Sequence, residues 1–492
     1  MISQDTQIAY KISATDQKAY KANPLLCNVS TGGKCKNKKL LKEAIYRGSQ
    51  HREEQRVEKN KVLLYGAGKN GAMLRRFAEK KSIAYGEVAA YIDADPCKQG
   101  HIFMGLPVLS WKDAQKQYGK DFYVYVTGGE QVGPDIIHFL LEQGISPERI
   151  INYEPIEKRF GCWKAETEFH ALADKNGITF GACCRFADNQ SGKGSQAEGG
   201  CSGPREAAEA ETLRAVRQRL LHNAQDIAEG TAGERHRNCS NFRERYYFRD
   251  KKIRVLHFVG VGPCNIKCSY CQIQYAGSDN DSFVPYSGRP NFSPFPVCSE
   301  ILHTLEREGT IDENTVILLG CGEYSAFKDG ERLAELVVNY PTRLLTNAVL
   351  YSPATEKALE NAGLIICSVD AGTSETFRTV KGVNAFDKVS ENLREYAKHG
   401  PVELKYILLD GVNDSLADFE GFCKLADEAA TCVEITRDGF TDIGETYSDR
   451  ALTFLAHYIK YFNRQGKLSV NPERMIRESE RERFDRIMKE LE

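Results

Sequence analysis

Three cysteines fall within eight residues of the stretch VGPCNIKCSYCQ (261–272), at Cys264, Cys268 and Cys271. Thiols so spaced can form a disulfide, part of a zinc site, or a metal centre that is one protein ligand short. A structural zinc site is closed by four nitrogen or sulfur ligands, usually as two pairs, and no second Cys-x-x-Cys or His-x-x-x-His pair follows nearby. Iron–sulfur clusters also usually take four cysteines, so a cluster on three keeps one iron open, as a catalytic metal requires. The N-terminal MISQDTQIAYKISATDQ has no basic segment leading into an apolar one, and no apolar run is long enough to cross a bilayer. The sequence therefore reads as cytoplasmic, with no membrane partner. In that compartment the sixteen cysteines are expected to be ligands, reactive groups or buried small residues rather than disulfides.

A second candidate site lies in YGAGKNG, where Gly66, Gly68 and Gly71 have G-x-G-x-x-G spacing between an expected strand and an expected helix. Backbone N–H groups at such a helix start can hold a pyrophosphate. Asp93, at the end of the next expected strand, is placed to meet a ribose hydroxyl. The competing reading is a scaffold whose glycines serve only the tight turn and helix packing.

These residues need elements to hold them. At 492 residues, the chain is expected to form roughly two to four domains. Residues 1–60 read as a partly helical leader. From 61 to 155 strands alternate with helices (KVLLY, EVAAYIDAD, FYVYVTGG and RIINY are the strands), implying a parallel sheet with helices on both faces. Residues 156–250 lose the alternation and read as a helical connector. It holds Cys183, Cys184, Cys201 and Cys239, candidate ligands for a second cluster. From 251 to 440 six β/α units follow (RVLHFVGV, TVILLGCGE, TRLLTNAV, LIICSVDAG, ELKYILLDG and CVEITRDG), implying a partial (β/α)6 barrel with its ligands at the carboxyl ends of the strands. Residues 441–492 read as a helical extension, with Phe484, Ile487, Met488 and Leu491 on one face of a docked helix. A net charge of −2 gives no global field to attract nucleic acid.

Cys264, Cys268, Tyr270 and Cys271 spell Cx3Cx2C with an aromatic residue before the last cysteine, and this resembles the radical S-adenosylmethionine (radical SAM) enzymes. Further matches follow in order: LLGCGE (318–323) is similar to the family's Gly-Gly-Glu strand end, LLTNAVL (344–350) to its third strand, and SVDAGTSETF (368–377) to the fourth strand of peptide- and sugar-modifying members. The resemblance implies a [4Fe-4S] cluster on the three cysteines and S-adenosylmethionine at its open iron. Reductive cleavage would then yield a 5′-deoxyadenosyl radical that takes hydrogen from a peptide or carbohydrate substrate, with a reductase or flavodoxin-type electron donor. It implies that Gly320, Gly322 and Glu323 receive the methionine amino group, that Ser368 and Asp370 meet the ribose, and that Tyr270 packs near the adenine or the cluster. Residues 61–155 resemble the Rossmann-like domains of polysaccharide-biosynthesis proteins, whose nucleotide site would take NAD(P), a nucleotide sugar or nothing. The rival reading is a nucleotide-binding regulatory or scaffold protein with a non-catalytic metal-binding barrel; Glu323 beside the triad weighs against it.

Overall fold

The computed structural model describes residues 60–174, 177–181, 218, 242–260, 264–271, 294–320, 322–437, 446–470 and 472–491. The expected leader, Cys183, Cys184, Cys201, Cys239 and Cys321 lie outside the described residues. Among these residues no helix is long and apolar enough to cross a membrane.

The first sheet is built from short apolar strands: β1 (Lys61–Tyr65), β2 (Glu87–Ile92), β3 (Ile102–Phe103), β4 (Leu106–Leu109) and β5 (Phe122–Val126). Their order is β3-β4-β2-β1-β5, parallel except for the β3/β4 hairpin. Helices α1 (Lys69–Ser82), α2 (Trp111–Tyr118) and α3 (Gly133–Glu142) join these strands. RIINY, expected to be a last strand, contributes a single bridge between Val124 and Ile150; a 3-10 turn at Pro147–Arg149 leads straight into it.

The described parts of the expected connector contain β6 (Ile156–Cys162), the one-turn α4 (Trp163–Thr167), β7 (Glu168–Asp174), β8 (Gly177–Gly181) and β9 (Phe242–Phe248). β6 and β9 form an antiparallel pair. β7 and β8 enlarge the second sheet, whose order is β15-β14-β13-β12-β11-β10-β7-β8. The sheet therefore has two strands beyond the expected six, and the helix expected within the connector (205–227) lies outside the described residues apart from the helical Gln218. The signal for β7 is the alternation of buried Phe169 and Ala171 with Glu168 and His170. It is hidden because the second face is polar.

The expected six strands are present as β10 (Val255–Gly260), β11 (Val316–Gly320), β12 (Thr342–Leu345), β13 (Gly363–Ser368), β14 (Val402–Leu408) and β15 (Cys432–Arg437), all parallel. Between and beyond them run α5 (Phe295–Arg307), α6 (Gly330–Leu336), α7 (Pro353–Asn361), α8 (Ser374–Lys381), α9 (Phe386–His399), α10 (Leu416–Ala429), α11 (Asp449–Asn463) and α12 (Glu478–Glu490). Several helices start where a hydroxyl can satisfy an orphan N–H: Ser352, Thr373, Ser415 and Ser448 cap α7, α8, α10 and α11. On α12, Phe484 and Ile487 are buried, and Met488 and Leu491 pack against the same core.

One sheet face is covered by the helices. The other receives α1. Met73 packs with Val255, Val316 and Leu364, and Lys69 pairs with Glu403 and Glu434. Arg76 donates to the carbonyls of Leu359 and His399, and Arg343 to Asn70. Val255, Val316, Leu364 and Glu403 are first or second residues of their strands. The first sheet therefore docks at the amino ends of the second sheet's strands.

Candidate functional site

At the opposite ends of those strands the sequence places its chemistry. The loop Cys264–Cys271 leaves β10. Cys264, Cys268 and Cys271 are free thiols, each half-buried. The loop is held from below by α8: Lys267 N–H donates to Lys381 O at 3.0 Å, and Ser269 N–H to Val380 O at 2.8 Å. Gly382 ends that helix at φ +73°, and a Cβ there would lie 2.7 Å from Lys267 O. Only glycine serves both the left-handed turn and the close approach.

Side chains fix the loop further. Tyr270 OH donates to Asp370 Oδ2, Lys381 Nζ donates to Tyr270 OH at 2.6 Å, and Lys381 pairs with Asp370. Asp370 is fully buried at φ +54°; its other oxygen accepts from Ile407 N–H at 2.6 Å. Both carboxylate oxygens are thus used inside the protein. The buried carboxylate is stabilised by its cation and donors and braces the loop. Burial opposes the charge on Lys381, but Asp370, Cys268 and Tyr270 outweigh it and hold its pKa well above the usual lysine value. Burial, then Asp370, raises Tyr270. Ser368 ends β13, half-buried.

Burial pushes the Cys264 thiol up to about 12, with Glu323 adding to the shift and Cys268 and Cys271 contributing. Burial also raises Cys268, while Lys381 pulls it down. The donor set is all sulfur, which suits iron–sulfur chemistry.

Beyond the cysteines stands Glu323, after Gly320 and Gly322 at the end of β11. It is fully buried and accepts from Ser325 Oγ (2.6 Å), Thr346 Oγ1 (2.9 Å), Asn347 N–H (2.6 Å) and Ser325 N–H (3.3 Å). Burial raises its pKa against those hydrogen bonds. No cationic side chain pairs with it among the described residues. Asn347 joins the two halves: its Nδ2 donates to Asn265 Oδ1 at 2.6 Å and reaches Cys264 Sγ at 3.7 Å. Asn347 and Lys381 are site residues absent from the sequence-based set. The TNAV and VKG stretches carried the signal, but only the fold shows that both residues converge on the cysteine loop.

The glycine loop is arranged differently. Gly71 approaches so closely that a Cβ would lie 2.1 Å from Gly66 O, and Gly66 has φ +119°. Asp93 Oδ2 accepts from Ala67 N–H at 2.7 Å, its Oδ1 from Asp95 N–H at 2.9 Å, and Lys98 lies 3.7 Å away. Gly68 precedes α1 as its cap residue, without a side-chain hydrogen bond. Asp93 thus holds the loop's own backbone.

Residues 261–426 match the family model described as the radical SAM superfamily. The chain carries a radical SAM domain. That domain is one of an enzyme superfamily which binds S-adenosylmethionine and an iron–sulfur cluster. The chain is 28% identical over 174 residues to GTPase Obg of Brachyspira hyodysenteriae, covering 34% of this chain and 25% of that protein. It is 27% identical over 172 residues to GTP 3′,8-cyclase of Psychromonas ingrahamii, covering 34% and 47%. The chain thus spans between a quarter and half the length of these relatives. Among solved structures, SuiB of Streptococcus suis bound to its precursor peptide SuiA shares 15% identity over 54% of this chain and 60% of that one, with a TM-score of 0.34.

Proposed function

We propose that the chain is a radical SAM enzyme whose Cys264, Cys268 and Cys271 hold a [4Fe-4S] cluster with one iron left for S-adenosylmethionine. The observation that carries this reading is Glu323: a buried carboxylate with no cation beside it among the described residues, linked through Asn347 to the cysteine loop. Such a charge suits an incoming ammonium group, here the methionine amine. When bound, the cluster supplies the electron for reductive cleavage of S-adenosylmethionine, and the resulting 5′-deoxyadenosyl radical takes a substrate hydrogen. The chain's own residues do the rest. Lys381, Asp370 and Tyr270 hold the cysteine loop in place, and Asn347 orients Cys264 and Glu323 together. A reductase or flavodoxin-type donor would deliver the electron. A peptide or carbohydrate is the substrate class, supported by the resemblance of residues 368–377 to members that modify them.

For residues 61–155 we propose a docking role. Ala67 N–H, which a phosphate would use, is taken by Asp93, and Lys69 and Asn70 are turned to the neighbouring sheet. The glycine loop also lies at the strand ends away from the cysteines, so a nucleotide there would not be presented to the cluster.

Anaerobic purification, cluster reconstitution and reduction in the presence of S-adenosylmethionine test the main reading. About four irons per chain bound through the triad and release of 5′-deoxyadenosine are expected. Stoichiometric zinc, no iron and no 5′-deoxyadenosine would overturn it.

A further inference from the structure

Away from the cysteines, one group of side chains has metal-binding chemistry and lacks a full set of partners. Glu168 and His170 lie two apart on β7 and share a face. His257 on β10 is the register partner of His170, as Val255 is of Glu168. One ligand atom from each of Glu168, His170 and His257 lies within 4.8 Å of the others. Glu168 is buried, and the two imidazoles are mostly so. This is the face on which α1 packs, since Val255 touches Met73.

The described residues do not complete this cluster. Glu168 Oε2 lies 3.1 Å from His170 Nε2 and 3.8 Å from His257 Nε2. No lysine or arginine pairs with Glu168 among the described residues. Arg343 faces Asn70 and Glu130 instead, and Lys164 lies over the Trp163 ring. His257 Nε2 is buried without a hydrogen bond. A buried carboxylate without a cation and a buried ring nitrogen without a partner both carry a desolvation cost. One ion relieves both.

We infer that Glu168, His170 and His257 bind a single divalent cation of the zinc class. Two imidazoles and one carboxylate are the donor set of zinc, cobalt(II) and iron(II) sites that keep a further position open. The rings stack with centroids 4.0 Å apart and planes 6° from parallel. Binding therefore rotates one imidazole about its Cβ–Cγ bond, a soft torsion, until the lone pairs converge. The ion ties β7 to β10, the strand that runs into the cysteine loop. The donors share no residue with the cysteine site, so the inference does not rest on the radical SAM reading.

The test uses full-length protein whose cysteine site is first loaded with iron and sulfide under anaerobic conditions, then titrated with cobalt(II) chloride. One further equivalent should bind with the ligand-field bands of a nitrogen and oxygen site and without thiolate charge transfer. His257→Gln and Glu168→Gln should each weaken that equivalent by roughly 100-fold while leaving iron content unchanged. Cobalt should raise the melting temperature of the wild type but not of either variant. Glu168→Gln, which keeps size and a hydrogen-bond acceptor, decides the matter if His257→Gln loses its far-UV circular dichroism. Equal uptake with the same spectrum in wild type and Glu168→Gln, or cobalt that is all thiolate-bound, would overturn the inference.

Discussion

The loops after β1 and β10 occupy like places in two sheets, each leaving the carboxyl end of a strand with parallel neighbours on both sides, but they treat their polar groups in opposite ways. After β1, Asp93 closes on Ala67 N–H, and Lys69 and Asn70 are used by Glu403, Glu434 and Arg343. After β10, the loop backbone is held by α8 while its three cysteines are free thiols, and Glu323 nearby has donors but, among the described residues, no cation. A loop whose charges are all answered by the chain is built to be a structure. One that is braced yet left with an unanswered charge is built to receive something.

Removing a ligand from the cysteine loop should have the largest effect. Cys268→Ala should lower cluster iron to near background and reduce 5′-deoxyadenosine release by roughly a thousandfold or more, a loss of about 4 kcal/mol or more in transition-state terms. Iron quantitation and electron paramagnetic resonance of the reduced protein check this. An unchanged iron content would remove the contrast between the loops.

The next pair of variants asks whether the bracing is local. Lys381→Met leaves Asp370 buried without its cation, which should cost about 3–5 kcal/mol in stability by chemical denaturation. It should also lower cluster loading, because Tyr270 loses a partner at the cysteine loop. Lys69→Met strands Glu403, a fully buried carboxylate whose Oε2 makes no hydrogen bond, and should cost a smaller amount, about 2 kcal/mol, because Lys69 is partly exposed. It should leave cluster loading intact. Loss of cluster in both variants to the same degree would show that stability alone, not the position of the cation, governs loading.

Glu323→Gln isolates the unanswered charge. The amide keeps the shape, its single oxygen can accept from Asn347 N–H and its nitrogen can face the Ser325 and Thr346 hydroxyls, so cluster loading should persist. Binding of S-adenosylmethionine to the loaded protein should weaken by roughly 10- to 100-fold, about 1.4–2.8 kcal/mol, as expected for losing a charge-assisted hydrogen bond. Isothermal titration against wild type reads this directly.

How far the sequence reaches follows the same division. Cys264, Cys268 and Cys271 stood out as candidate ligands because their spacing is local, and β10 to β15 were legible because strands buried on both faces read as apolar runs. β7 was not, since its polar residues Glu168 and His170 sit inside the sheet's other face and break the run. Asp370 was placed at the correct strand end, yet its side chain is claimed by Lys381 eleven residues on and by Tyr270 a hundred residues earlier. Position along a strand is a local property, whereas the partner of a carboxylate is not. The docking of α1 was equally out of reach: Lys69 meets Glu403 and Glu434 across more than 330 residues of chain, and an exposed-looking lysine at a helix start gives no sign of them.

The smallest expected effect is at Asp93, and it bears most directly on the glycine loop. If the loop is a closed structure, Asp93→Asn removes a charge-assisted acceptor from Ala67 N–H and should cost about 1–2 kcal/mol. NAD(P) or a nucleotide sugar at millimolar concentration should then leave the melting temperature of the wild type unchanged, since a ligand that does not bind the native state cannot stabilise it. If the loop is a nucleotide site instead, either ligand should raise the wild-type melting temperature by several degrees at about a hundred times its dissociation constant, and Asp93→Asn should abolish the rise. A flat response in wild type, together with the small stability loss in the variant, identifies Asp93 as the group that already fills the place a phosphate would take.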